Sequence, residues 1–155
     1  MRESTADLWE MFGHPGHRIA ISTNGFVKRN GEAVMGRGCA KQAKDLWIDA
    51  PARLGTYIRS NGNVPGYLFI NGGEGPSADR LMILPVKHNW WERADETLVH
   101  NSIAFLMHEA HAWPDWTFHV PRLGCGNGKL SWEGLVRPWM AVLPDTVIVH
   151  GGKRA

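Results

Sequence analysis

Cysteine occurs at only two of 155 positions, Cys39 and Cys125. Two thiols build neither a disulfide framework nor a four-cysteine zinc site, so a reducing, cytoplasmic setting is the expectation. No apolar stretch approaches the ~20 residues that cross a bilayer, and no membrane partner is expected. The opening MRESTADLWEMF lacks the basic-then-apolar order of a secretory signal. There is no run of one charge, no internal repeat, no low-complexity tract and no Pro/Gly/Ser linker. A net charge of +2 is too mild to argue for nucleic-acid binding by itself. Hydrophobic residues at 43% against 21% charged residues set a globular core above disorder. The length fits one domain, residues 1–155, and is compatible with a monomer.

What the chain does hold is glycine and tryptophan, eighteen and eight residues, with the glycines clustered. Apolar runs alternate with helical spacing. The pattern predicts helices over 4–12, 36–48, 50–60, 94–112 and 131–142, and strands over 18–23, 66–70, 80–86, 116–120 and 146–150. Ala40, Ala43, Leu46 and Trp47 mark the second helix, Pro51 opens the third, and Leu98, Ser102, Phe105 and Leu106 share a face of the fourth. Strands alternating with helices imply an α/β domain with a largely parallel sheet, whose ligands sit at the carboxyl ends of its strands.

Two loops at such ends are rich in glycine. The first runs from Thr23-Asn24-Gly25 to Gly36-Arg37-Gly38-Cys39-Ala40, which opens a helix. Amides at a helix start favour an anion; alone, an ordinary turn is the commoner reading. The segment lacks the third glycine of a dinucleotide fingerprint. The second loop is Pro121-Arg122-Leu123-Gly124-Cys125-Gly126-Asn127-Gly128-Lys129-Leu130. Leu123 and Leu130 stand where a Walker loop needs glycine and a hydroxyl. No arginine follows Cys125 as in a cysteine phosphatase, so Cys125 reads as a small residue held between glycines. Together the loops suggest two linked phosphates, or a phosphate and a sugar. Lys87 and His88 end the 80–86 strand beside Trp90 and Trp91. Lys87 is a candidate clamp or nucleophile, although a surface lysine beside an aromatic pair is the plainer reading.

These two loops, with Trp132 after the second, resemble the macro domain, a three-layer α/β/α module with a mixed, largely parallel central sheet that binds ADP-ribose. The similarity runs from Asp7 to His150. It leans toward the branch of terminal ADP-ribose protein glycohydrolases and the antitoxin macro domain that strips ADP-ribose from DNA, and away from the branch with an Asn-Ala-Ala-Asn and triple-glycine first loop. The resemblance implies roles. Asp7 accepts from the adenine amino group and the Leu8 backbone adds a second adenine contact. Asn24 faces the distal ribose. Gly36, Arg37 and Gly38 face phosphate, and Gly124, Cys125, Gly126, Asn127 and Gly128 wrap the diphosphate. His150 lies near adenine, and Lys87 acts at the distal ribose. The protein glycohydrolase has an aspartate where this chain has Gly128, whereas the DNA-directed relatives have glycine. The 26–34 segment, with Lys28 and Arg29, is longer and more basic than expected, and reads either as a cover for the ribose or as a solvated tip.

The implied function is ADP-ribose binding with hydrolysis at the distal ribose, as an ADP-ribosyl glycohydrolase or an ADP-ribose-1″-phosphate phosphatase. A non-catalytic reader is the alternative, and a nucleic-acid-binding module using Lys28 and Arg29 is a third. Partners would be ADP-ribose or an ADP-ribosylated macromolecule, nucleic acid included. No cofactor and no metal are expected. His108 and His111 have the wrong spacing for a zincin helix and read as a polar face. His14 and His17 flank Pro15-Gly16 and read as a turn. Trp113 and Trp116 read as packing on the sheet, and Trp132 and Trp139, seven apart, as one core face.

Overall fold

The computed structural model describes residues 1–70 and 80–152. Its elements are β1 (Arg2–Ser4), β2 (His17–Asn24), α1 (Gly38–Leu46), α2 (Ala50–Asn61), β3 (Gly66–Phe69), β4 (Arg80–Lys87), α3 (Glu96–Ala112), β5 (Thr117–Pro121), a π-helical turn (Trp132–Val136) running into α4 (Arg137–Met140), and β6 (Val147–His150). The described strands form one sheet in the order β1-β6-β5-β2-β4-β3. Neighbours are parallel except for β3, which runs antiparallel to β4. The expected mixed, largely parallel sheet is therefore present.

Both faces of the sheet are buried, as a parallel sheet requires. Ala20, Met82, Leu84, Phe118, Val120 and Val149 point to one side, against Val99, Ile103 and Leu106 of α3 and Val136 and Met140. Ile19, Ile21, Leu81 and Ile83 point to the other, against Ala40 and Ala43 of α1 and Leu54 of α2. The result is three α/β/α layers.

Three expected elements differ. No helix forms over 4–12. Pairing of Arg2–Ser4 with Ile148–His150 makes the segment's start an edge strand, and Phe12 and His14 close short turns onto Trp9 and Met11. The apolar spacing that suggests a helix instead feeds an aromatic cluster, with Trp9 and Phe12 rings 5.7 and 4.9 Å from Trp47. The 131–142 helix is broken. The Val136 amide reaches back to the Ser131 carbonyl, five residues away, at 3.0 Å. Pro138 has no amide to continue an α-helical ladder, and the chain widens into a π turn before it. The second helix ends at Leu46, which is 57% exposed, so Leu46 is no part of its buried face.

The 26–34 excursion is a small hairpin docked on α2. Val27 bridges Ala33, and the Ala33 amide donates to the Pro51 carbonyl at 2.8 Å. Gly55 of α2 is required there, since a β-carbon would collide with the Gly31 carbonyl. Ala33 and Met35 are buried, whereas Lys28 and Arg29 form a solvated tip. Trp113, expected on the sheet, is instead 53% exposed, while Trp116 carries the Arg18 guanidinium 4.0 Å above its ring.

Candidate functional site

The helices that follow β2 lie on one face of the sheet and the helical segment that follows β5 lies on the other. β2 and β5 are neighbours, so their outgoing loops diverge and leave a crevice at the carboxyl ends of the strands. A cleft of about 710 Å³ occupies that crevice. It runs from His150 at the end of β6, past the loops after β5 and β2, to Lys87 at the end of β4. Three strand-to-strand steps of ~4.8 Å make this about 14 Å.

Asn24, Gly36, Arg37, Gly38, Lys87, Gly124, Cys125, Gly126, Asn127, Gly128 and His150 all line the cleft. Asp7 and Leu8 do not: Asp7 is exposed on the turn after β1 and Leu8 is buried beneath it. Ser22 also lines the cleft, as do Cys39, Trp90 and Arg122, which the sequence placed in or beside the loops without a role, and Trp132, which it read both as part of the loop motif and as a core face. Trp132 does both: its ring is buried while Nε1 donates to Glu3 at 3.0 Å. The Arg122 guanidinium stacks 5.0 Å from that ring.

The two glycine loops meet across the cleft. Gly38 has φ +59°, and a β-carbon there would stand 3.8 Å from the Asn127 side-chain amide. No side chain caps the start of α1, which suits its first amides to an anion. The second loop closes on itself. Leu130 N–H donates to the Gly124 carbonyl and Ala94 N–H to the Gly128 carbonyl, both at 3.0 Å. Gly124 takes φ +73°, and Lys129 holds φ +65°, a conformation costly for a side-chain-bearing residue. A β-carbon on Gly128 would sit 2.8 Å from the Ala94 Cβ and nearer still to the Gly124 carbonyl.

The far end is set by an irregularity in β4. Thr23 pairs with Pro85, but Asn24 pairs with Lys87. Pro85 cannot donate to the ladder, and the extra residue, Val86, turns its carbonyl to the Asp95 amide at 2.8 Å. The bulge brings Asn24 and Lys87 together at the mouth of the cleft. The Lys87 carbonyl is fixed by the Gly25 amide at 3.1 Å and the Asn63 side chain at 2.9 Å. Its Nζ reaches the Trp90 carbonyl at 3.4 Å. Burial, followed by the charges of Arg37 and Lys129, lowers the Lys87 pKa from the ordinary lysine value. Asn24 donates to the Val34 carbonyl and accepts from the Phe26 amide, each at 3.0 Å, and so holds both ends of the docked hairpin. Trp90 and Trp91 are 50% and 59% exposed.

Cys125 is no thiolate. Burial pushes it up to about 11, with Arg122 opposing, and Sγ donates to the Leu123 carbonyl at 3.4 Å. His88 faces Asp95 at 3.3 Å rather than the cleft. Glu109, between His108 and His111, accepts from the Tyr67 hydroxyl at 2.6 Å. No group of three metal-ligating side chains occurs among the described residues.

At the other end, His150 is one member of a file of imidazoles. Its Nδ1 lies 3.0 Å from the Ala6 carbonyl and its Nε2 2.8 Å from His119 Nδ1. His119 Nε2 in turn lies 2.9 Å from His17 Nδ1. His17, expected from its neighbours to be a turn residue, is the first residue of β2. The signal for His119 was present: in TFHVP it alternates with Phe118 and Val120 and points to the opposite face.

No family model matches the sequence, and no curated protein matches it. Solved structures do. The macrodomain of Mycobacterium tuberculosis DarG superposes with a TM-score of 0.70 at 18% identity, covering 98% of this chain and 97% of that one. Thermosipho africanus DarTG in complex with ADP-ribose gives 0.70 at 18% identity, covering 99% of this chain and 42% of that longer one. The macrodomain of Thermus aquaticus DarG gives 0.64 at 22% identity, with 97% of each chain covered. Agreement over nearly the whole chain, with the cleft at the diverging loops that the topology dictates, identifies the fold: this chain has the fold of a macrodomain.

Proposed function

We propose that the cleft binds ADP-ribose and that the chain hydrolyses the bond at the anomeric carbon of the distal ribose. The observation that carries this reading is the pairing of two glycine loops across the crevice, with Lys87 and Asn24 at one end and His150 at the other. Amides of the loops hold the diphosphate, and Arg37 and Lys129 add charge. Binding energy from the nucleotide half then fixes the ribose carbon beside Lys87. The Lys87 side chain stabilises the departing group while a water attacks the anomeric carbon; the alternative is attack on that carbon by the Lys87 amine, the adduct then being released by water.

A specific observation favours the reader alternative. The second loop has no room for a carboxylate at Gly128, so a lysine–aspartate pair of the protein-glycohydrolase kind has no place here. Deglycosylation, if it proceeds, relies on Lys87 and water.

Calorimetric titration with ADP-ribose, with AMP and ATP as controls, tests the ligand. Turnover assays on ADP-ribosylated DNA, ADP-ribosylated protein and ADP-ribose-1″-phosphate test the reaction. Lys87→Ala is expected to keep affinity within a few-fold and to lose at least a hundredfold in rate. No turnover by the unaltered protein on any of the three substrates would reduce the reading to binding alone. No discrimination of ADP-ribose from AMP would sink it.

A further inference from the structure

The chain leaves α2 through a tight turn. Gly62 takes φ +87°, and its amide closes the helix on the Ile58 carbonyl at 2.7 Å. The Val64 amide returns to the Gly62 carbonyl at 3.0 Å, which puts Asn63 at the apex of a three-residue turn. The Tyr57 hydroxyl then holds the Pro65 carbonyl at 2.9 Å before β3 begins. Anchored on both sides, Asn63 sends its side chain across to β4. Nδ2 donates to the Lys87 carbonyl at 2.9 Å. A β-carbon on Gly25 would stand 2.6 Å from Asn63 Cγ, so glycine at 25 is what admits the carboxamide. The group is lodged where β2 and β4 part, against the last pair of their ladder, Asn24 with Lys87.

Two donors meet at the Lys87 carbonyl, and they are not equivalent. The Gly25 amide is shared, lying 3.1 Å from the Lys87 carbonyl and 3.1 Å from that of His88. Alone it fixes neither. The Asn63 carboxamide reaches Lys87 and decides between them. Asn63 Oδ1, in contrast, is buried with no hydrogen-bond partner among the described residues. A stranded acceptor costs about what one such bond returns, so the side chain adds little to stability. What it sets is where the Lys87 backbone stands. Asn63 does not line the cleft itself. From this geometry we infer that Asn63 is a positioning residue: through the Lys87 carbonyl it fixes Lys87 opposite Asn24, and so sets where the lysine side chain meets the distal ribose.

This role rests on the proposed hydrolysis. It separates rate from binding and from stability. Leucine has the outline of asparagine without its polar atoms. Asn63→Leu keeps the packing on Gly25, removes the stranded acceptor and leaves the Gly25 amide on the Lys87 carbonyl. Its melting temperature should stay within about 2 °C of the parent. ADP-ribose, held mainly by the two glycine loops, should bind within about twofold. The turnover number should fall about tenfold, because a small displacement of a reacting side chain is costly.

The test uses the full chain and the substrate it hydrolyses among ADP-ribosylated DNA, ADP-ribosylated protein and ADP-ribose-1″-phosphate. Thermal melting, titration with ADP-ribose, and kcat and KM are measured for the parent, Asn63→Leu, Lys87→Ala and the double variant. A fall in kcat with KM, affinity and melting temperature held is the expected result. In the Lys87→Ala background Asn63→Leu should change the rate by less than about twofold, since no lysine side chain is left to position. Losses that multiply in the double variant would overturn the inference, as would a fall in affinity or melting temperature that accounts for the lost rate. Should Asn63→Leu fold poorly, Asn63→Ala gives the same comparison. A rate lost in Lys87→Ala but kept in Asn63→Leu would overturn this inference alone. No turnover by the unaltered protein, or turnover that Lys87→Ala leaves unchanged, would overturn the hydrolytic role of Lys87 and the role of Asn63 with it.

Discussion

Replacing Gly128 by alanine should unsettle the second loop, and neighbouring Gly126 supplies the control. A β-carbon at 128 falls 2.8 Å from the Ala94 Cβ, a side chain with no rotamer to move, and closer to the Gly124 carbonyl, which is backbone. One at 126 meets nothing within 4 Å, and Gly126 has no positive φ. Relieving the clash separates 124 from 128 and pulls 128 from Ala94. Overpacking of this kind costs about 1–3 kcal/mol. The Leu130-to-Gly124 and Ala94-to-Gly128 hydrogen bonds are both strained by the same movement, at about 1 kcal/mol each. A total of roughly 3 kcal/mol lowers the melting temperature by about 10 °C in a chain of this size. Gly128→Ala should show that loss by calorimetry or thermal circular dichroism, together with at least tenfold weaker ADP-ribose binding as the amides move. Gly126→Ala should melt within about 2 °C of the parent, consistent with a substitution that touches nothing. Equal melting temperatures for the two variants would refute the close approach and reopen position 128 to a carboxylate.

Two other outcomes follow from the same packing. Burial, then the flanking imidazoles, lowers His119 from 6.5 to about 4. A base with a depressed folded pKa leaves the unfolded chain holding more protons between those values, so its contribution to stability is full above 6.5 and is lost as pH falls toward 4. At ~1.4 kcal/mol per pH unit this amounts to about 3 kcal/mol, read as a fall in urea midpoint between pH 7 and 4.5 that is largely absent in His119→Phe. Asn24→Ala removes the two side-chain bonds that hold Phe26 and Val34, about 1 kcal/mol each. Amide exchange should quicken in residues 26–34 and leave α3 unchanged; uniform acceleration would mean that the hairpin is not held locally.

The alternation of strands and helices and both glycine loops were legible from the residues alone, because these rest on local pattern: period-2 apolar runs, a proline opening α2, and glycines where β-carbons do not fit. Local pattern also placed Lys87, Asn24 and His150 at strand ends, and that sufficed to put them around one cleft once the strands were aligned. The N-terminal segment was misread because pairing with β6, a partner more than 140 residues away, overrides helical spacing in Leu8, Trp9 and Phe12. The break before α4 needed the amide count around Pro138. Folding in three dimensions was required to pair Asn24 with Lys87, since a bulge in β4 shifts the register by one residue. It also closed position 128 to any side chain, because the obstruction comes from Gly124 and Ala94 after the loop folds back. The histidine file has the same origin. His17, His119 and His150 lie on three different strands, and neither spacing nor composition relates them. The file meets the Ala6 carbonyl because the edge strand β1 pairs with β6.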